Sequence, residues 1–168
     1  MSSHKLIMLK IGPESDGVLR NLFEHYMHDM AEWFKFDTEP DGRYSYDTSA
    51  GVWDRGCEVY LAKIGDSLAG FAIIGDAREW LGDIDARDLR EFFVIRRFRR
   101  TGIGQGMARC LWNQHPGGWL VRVFEANVPA VPFWREVVAG YTDGAYVEER
   151  RVVNDRPWRF FRFESSHA

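Results

Sequence analysis

The stretch from Arg96 to Met107, RRFRRTGIGQGM, follows an apolar run (Phe92, Phe93, Val94, Ile95) and leads into an amphipathic segment. A strand that ends in a basic, glycine-rich turn and opens into a helix aims unpaired backbone N–H groups, the positive helix end and several guanidinium groups at one point. Such a point suits a phosphate. Glycines at 102, 104 and 106 let the backbone approach a pyrophosphate closely and adopt positive φ where the turn requires it. Glu91 is a second chemical feature, because a carboxylate among phenylalanines is costly unless it has a task or a partner such as Arg122.

The elements that must position these groups follow from hydrophobic period. Lys5 to Ile11 reads as a strand closed by Gly12-Pro13, and Val18, Leu19, Leu22, Phe23, Tyr26, Met27, Met30, Trp33 and Phe34 form the apolar stripe of a first helix, expected to kink or break near its end. Asp37 to Gly56 carries turn formers and acids without a period, so it reads as a long loop with at most one helical turn. Glu58–Ile64 and Ser67–Ile74 flank Gly65-Asp66 as a hairpin. A polar connection, 76–87, leads to a strand at Asp88–Ile95. A helix from about Gly102 to His115 is stopped by Pro116-Gly117-Gly118, and Trp119–Phe124 is a buried strand. Asn127 is expected to cap the next helix, with Pro132 late for its first turn, and that helix to end near Ala139-Gly140. Tyr141–Val153 and Trp158–Phe163 then close the chain as a hairpin.

Spacing discriminates among phosphate sites. A dinucleotide fingerprint needs G-x-G-x-x-G, but the third position here is Met107, and the G-x-x-x-x-G-K-[ST] of a P-loop is absent. What remains is Arg99-x-x-Gly102-x-Gly104 between a strand and a helix. This resembles the R/Q-x-x-G-x-G/A motif of the GNAT superfamily of N-acetyltransferases, which holds the pyrophosphate of acetyl-CoA. Downstream, Asn127-x-x-Ala130-x-x-Phe133-Trp134 and Gly140-Tyr141 resemble that family's second motif, N-x-x-A-x-x-F-Y followed by G-F. The resemblance implies an α+β fold, a mixed, mostly antiparallel sheet of about seven strands with helices on both faces, spanning 1–168 as one domain. It further implies that the fourth and fifth strands splay apart and that the pantetheine arm enters between them. Phe93, Val94, Arg96, Arg99, Arg100, Thr101, Gly102, Ile103, Gly104, Gln105, Asn127, Phe133 and Trp134 are the cofactor-binding residues it implies.

The implied activity is transfer of an acetyl group from acetyl-CoA to a primary amine, through a tetrahedral intermediate whose oxyanion meets the Val94 N–H. An alkylammonium with a pKa of about 10.4 must first lose a proton, and Glu91 is the candidate base, with Glu125 a weaker second. Structural pairing of Glu91 with Arg122 is the competing reading. Trp134 stands where many relatives carry a Tyr that reprotonates the thiolate, and an indole N–H is no acid at neutral pH. Tyr141 is the candidate substitute and Tyr146 another, against packing roles for both. Two alternatives of different kind stand beside this reading: a CoA-binding module without transfer activity, and an acetyltransferase of protein N-termini or lysines.

Composition narrows the remainder. With 168 residues, 45% hydrophobic content, net charge -3, two cysteines and no long apolar run, the sequence reads as a cytoplasmic protein with reduced thiols and no membrane or nucleic-acid partner. RRFRR read as a nucleic-acid patch competes poorly with its place at a glycine turn. His25-x-x-His28-Asp29 has metal-compatible spacing but lacks further clustered ligands, so no metal is expected and it reads as surface or an acceptor-facing patch. Acids of the long loop (Asp37, Glu39, Asp41, Asp47) with Tyr44, Tyr46 and Trp53 suit a cationic acceptor, which favours a small amine or amino-sugar. Trp158, Phe160, Phe161 and Phe163 read as core or as the seam of a homodimer.

Overall fold

A computed structural model describes residues 5–44, 48–82 and 84–166. One seven-stranded sheet carries the order β1-β2-β3-β4-β5-β7-β6. Its strands are β1 (Leu6–Ile11), β2 (Glu58–Ile64), β3 (Ser67–Asp76), β4 (Ala86–Val94), β5 (Gly117–Phe124), β6 (Tyr146–Val153) and β7 (Arg156–Ser165). Only β4 and β5 pair in parallel; the other neighbours are antiparallel. The helices are α1 (Asp16–Phe34), α2 (Thr48–Asp54), α3 (Arg78–Leu81), α4 (Ile103–Gln114) and α5 (Ala130–Thr142).

Alternation of apolar residues, interrupted by a bulge in β4, explains why helices cover both faces. Val59, Leu61, Phe71, Ile73 and Phe93 pack against Leu19, Leu22, Phe23 and Met27 of α1 and Val52 of α2. Tyr60, Ala72, Ile74, Leu89, Val121 and Val123 face the opposite way, onto Trp112 of α4 and Trp134, Val137 and Val138 of α5. Burial on both sides of the central strands removes the polar face that a one-sided sheet would show.

Turn chemistry sets the register. Gly65-Asp66 joins Ile64 to its partner Ser67, and Asn154 and Asp155, both at positive φ (50° and 59°), form the two-residue turn between Val153 and Arg156.

Several sequence expectations need correction. Helix α1 runs unbroken to Phe34 and ends because Lys35 turns left-handed (φ 60°) and gives its N–H to Ala31. The long loop contains α2, and its described remainder is tied by a bridge between Thr38 and Tyr44. Asn127 does not cap α5 through its side chain; Pro129 precedes the helix and Pro132 falls in its first turn, where a missing N–H costs nothing. Tyr141 belongs to α5 and not to a strand, since the helix continues through Gly140 to Thr142 and stops at left-handed Asp143. Of the closing aromatic residues, read as core or as a homodimer seam, Phe160, Phe161 and Phe163 are buried in the core and Trp158 is partly buried.

Candidate active site

The parallel pairing of β4 with β5 runs only from Ala86↔Gly118 to Leu89↔Val121. Beyond it the two strands continue to Val94 and Phe124 without pairing, and a wedge opens between them. A β-bulge accounts for the divergence: Glu91 pairs with Ile73 and Leu89 with Ile74, so Arg90 is unmatched on β3. The bulge also redirects a side chain. Leu89 faces α4 and α5, and regular alternation would send Glu91 the same way; the extra residue turns Glu91 to the α1 face with Phe93.

Backbone groups line the β4 edge of this wedge. Ile95 donates its N–H to Ala69 on β3 (2.8 Å), so the preceding residue, Val94, turns its N–H and C=O toward the gap. Arg99 Nε donates to that Val94 carbonyl at 2.7 Å. At the mouth, the chain passes through a short 3-10 turn (Arg96–Phe98), left-handed Arg100 (φ 60°) and left-handed Gly102 (φ 83°) before entering α4. The first intrahelical bond is Gly106 N–H to Gly102, which leaves the amides before it free for an anion. A Cβ at Gly102 would meet nothing, so this glycine is required by its backbone angle, whereas a Cβ at Gly104 would lie 3.2 Å from Phe133 Cζ and 3.5 Å from Val94 Cγ2. Val94, Gly104 and Phe133 therefore converge, with Ile103 packed beside Val94. Arg100, Thr101 and Gln105 are exposed around the same turn, and Thr101 Oγ1 donates to the Phe98 carbonyl at 2.6 Å.

The arginines are not free. Asp29 of α1 accepts Arg96 at 2.6 Å and is bonded through its other oxygen to Arg99. Burial works against the Asp29 carboxylate, yet the Arg99 and Arg96 bonds outweigh it and hold its pKa below the usual value. Phe93 lies on the α1 face under the Arg99 guanidinium (5.5 Å to the ring centroid).

Glu91 is half-buried and accepts a hydrogen bond from Tyr26 of α1 at 2.6 Å. Burial pushes its pKa up; the Tyr26 bond and the Arg122 and Arg90 charges oppose this, and Asp88 adds to it. Arg122 does not pair with Glu91. Standing one residue past the last β4–β5 pair, it reaches back to form a two-pronged bond with buried Asp88 (3.1 and 2.7 Å) and lies 4.1 Å over the Trp80 ring. The ion pair thus marks the apex of the wedge and Glu91 stands on its wall.

Other candidates are placed elsewhere. Tyr141 donates to Asn113 Oδ1 (2.8 Å) and shares a hydrogen bond with Ser165 (2.8 Å); Ser165 pairs with Gly117 at the start of β5, opposite the open end. The general acid assigned to Tyr141 is therefore withdrawn, because helix α5 carries its hydroxyl away from the gap. Tyr146 packs in the core beside Phe161. Trp134 is buried among Phe92, Phe133 and Trp112. Glu125 is held by Arg150 (3.0 Å) and Arg159 (2.7 Å), which makes it structural. Asn127 reaches Met30 Sδ (3.9 Å) with its side-chain amide, and its backbone carbonyl accepts the Ala130 N–H at 3.0 Å. His28 meets the Tyr44 hydroxyl at 3.2 Å, and among the described residues no group of His, Cys, Asp or Glu could hold a metal. Tyr46 and Asp47 lie outside the described residues.

Sequence reasoning missed Tyr26 and Met30 as site residues, because the helical stripe read as packing, and it put Asp29 with His25 and His28 in a surface or acceptor-facing patch instead of beside the arginines. Their spacing of three and four was the available signal: one face of α1 reaches Glu91 on β4, the arginine turn, and Asn127 after β5.

A family model described as Acetyltransferase (GNAT) family matches residues 22–140, from the middle of α1 to the last turns of α5. No curated protein is similar to the chain in sequence. Among solved structures, an acetyltransferase from Thermus thermophilus is similar at 12% identity, over 98% of this chain and 99% of that one, with a TM-score of 0.66. Spermidine N-acetyltransferase from Vibrio cholerae, solved with CoA and spermine, is similar at 11% identity over 95% of each chain, TM-score 0.64. The ribosomal-protein-S18-alanine N-acetyltransferase from Escherichia coli is similar at 13% identity over 98% of this chain and 96% of that one, TM-score 0.62. At these identities the likeness establishes the fold.

Proposed function

From the premise that this chain belongs to the acetyltransferase (GNAT) family, we propose that it moves an acetyl group from acetyl-CoA directly to a primary amine, a small amine or amino-sugar by preference. The observation that carries this reading is the wedge beyond Leu89↔Val121, with the left-handed Gly102 turn at its mouth and Glu91 on its wall. The residues present fit the co-substrate. Unpaired amides at the start of α4 suit a pyrophosphate, and the Val94 edge suits the amides of a pantetheine arm, which would compete with Arg99 for the Val94 carbonyl.

Glu91 serves as the base. Only about one alkylamine in a few thousand is unprotonated at neutral pH, a handicap of about 4–5 kcal/mol. A carboxylate whose pKa burial raises toward the working pH removes that proton more effectively than an exposed one. The freed amine attacks the thioester carbonyl, the Val94 N–H meets the oxyanion, the attacking nitrogen gives its second proton to water, and the C–S bond breaks to expel the thiolate. With Trp134 buried, no acid stands at the family position; a thiolate with a pKa of about 8.5 leaves and takes its proton from water.

The acceptor preference rests on the loop after α1. Asp37, Glu39 and Asp41 are exposed there, and Tyr44 packs beside His28 of α1. Thiol release from acetyl-CoA over a panel of spermidine, glucosamine and an alanine-ended peptide tests the reading. Release with spermidine or glucosamine above background supports it. Acetyl-CoA-dependent thermal stabilisation without release would mean a CoA-binding module, and release with the peptide alone would move the acceptor to protein termini. Asp41→Lys should raise KM for cationic amines; an unchanged KM for every accepted amine would remove the preference.

A further inference from the structure

The base needs an orientation, and the residue that gives it lies on a different element. Tyr26 donates its phenol hydrogen to Oε2 of Glu91 at 2.6 Å, and among the described residues Oε1 has no hydrogen-bond donor. The phenol ring is held edge-on by Phe23 (5.3 Å), Phe71 (5.7 Å) and Phe93 (5.9 Å), so its hydroxyl has little freedom to turn away. An apolar cage alone would not require a hydroxyl here. We infer that Tyr26 is a positioning residue for the amine-deprotonating carboxylate: it fixes Oε2 of Glu91 and leaves Oε1 to receive the proton.

This inference rests on Glu91 being the base. Among the described residues, the charged and titratable groups that bear on Glu91 are Asp88 and Arg90 on β4, Arg122 on β5 and Tyr26 on α1. Arg122 is committed to Asp88, and Arg90 reaches Glu79 at 3.3 Å, so Tyr26 is the described side chain that contacts the carboxylate directly. A hydrogen bond to the charged form favours ionisation. Removing it leaves burial less opposed, and Glu91 would then hold its proton to higher pH.

Tyr26→Phe keeps the ring contacts and deletes only the donor. Two measurements test the inference. The Glu91 carboxyl carbon, followed by NMR in the protein alone, should titrate about one pH unit higher in Tyr26→Phe, in keeping with a lost bond to a charged acceptor. An unmoved midpoint would overturn the inference whatever the acceptor. In thiol-release assays with the best amine of the panel, Tyr26→Phe should show the acidic limb of its kcat profile moved to higher pH by the same amount, converge on wild type at high pH, and leave KM for acetyl-CoA unchanged. A uniform loss at every pH would mean a merely structural tyrosine. Glu91→Gln separates the two claims. If it retains the acidic limb of the wild-type profile, the base reading itself fails; if it loses the limb while Tyr26→Phe overlays wild type, only the role of Tyr26 fails.

Discussion

Single residues at the site are set by competing small terms, and Glu91 makes the competition measurable. Its folded pKa lies above the ordinary carboxylate value, so between the two the native state binds more protons than the unfolded chain. The stability that this protonation contributes is complete below the unfolded pKa and is lost as pH rises through the folded one. Urea midpoints of wild type should accordingly fall over that window more steeply than those of Glu91→Gln, and parallel curves would contradict the shift. Gly102 answers to a different constraint, since its φ of 83° strains any residue with a Cβ even though the space beside it is empty. Gly102→Ala should cost about 1 kcal/mol in urea unfolding, with the helix α4 core unchanged.

Elements bring these residues together by contact across the wedge. Helix α1 lies over the gap and touches both of its walls: Tyr26 and Asp29 reach the β4 side, Met30 reaches Asn127, and Phe34 stacks on Phe124 of β5 at 4.4 Å. On the other face α4 and α5 approach closely because position 104 has no side chain. Gly104→Val would force Phe133 and the start of α4 apart and misdirect the amides offered to the pyrophosphate. Acetyl-CoA affinity should drop about tenfold or more, as read by calorimetry; a folded Gly104→Val protein with unchanged affinity would remove the cofactor reading. Arg99→Ala should weaken binding by a similar factor, although its guanidinium is now shared between Asp29 and the Val94 carbonyl.

The whole sheet depends on a junction that is half paired and half open. Asp88 is fully buried and Arg122 is 11% exposed, and together they tie β4 to β5 where pairing stops. Asp88→Ala would leave a buried guanidinium without its partner, at a cost of about 3–5 kcal/mol and a clear fall in Tm. Among the described residues no helix is long and apolar enough to cross a membrane. By itself, the sequence determined most strands, the tight Gly65-Asp66 hairpin and the glycine turn, because period-2 alternation, the Gly-Asp turn and the Arg99-x-x-Gly102-x-Gly104 spacing are local properties, whereas the closing turn, expected around 154–157, is the two-residue Asn154-Asp155. Helix ends at Phe34 and Thr142 were less legible, since left-handed Lys35 and Asp143 lack the glycine that usually marks such a stop. Only the tertiary structure decided where the carboxylates point. A single unmatched residue, Arg90, turned Glu91 toward Tyr26, the neighbouring registers of β4 and β5 gave Arg122 to Asp88, and helix α5 left Tyr141 at the far end of β5. Those outcomes depend on contacts between residues 24 to 65 positions apart, which no local pattern encodes.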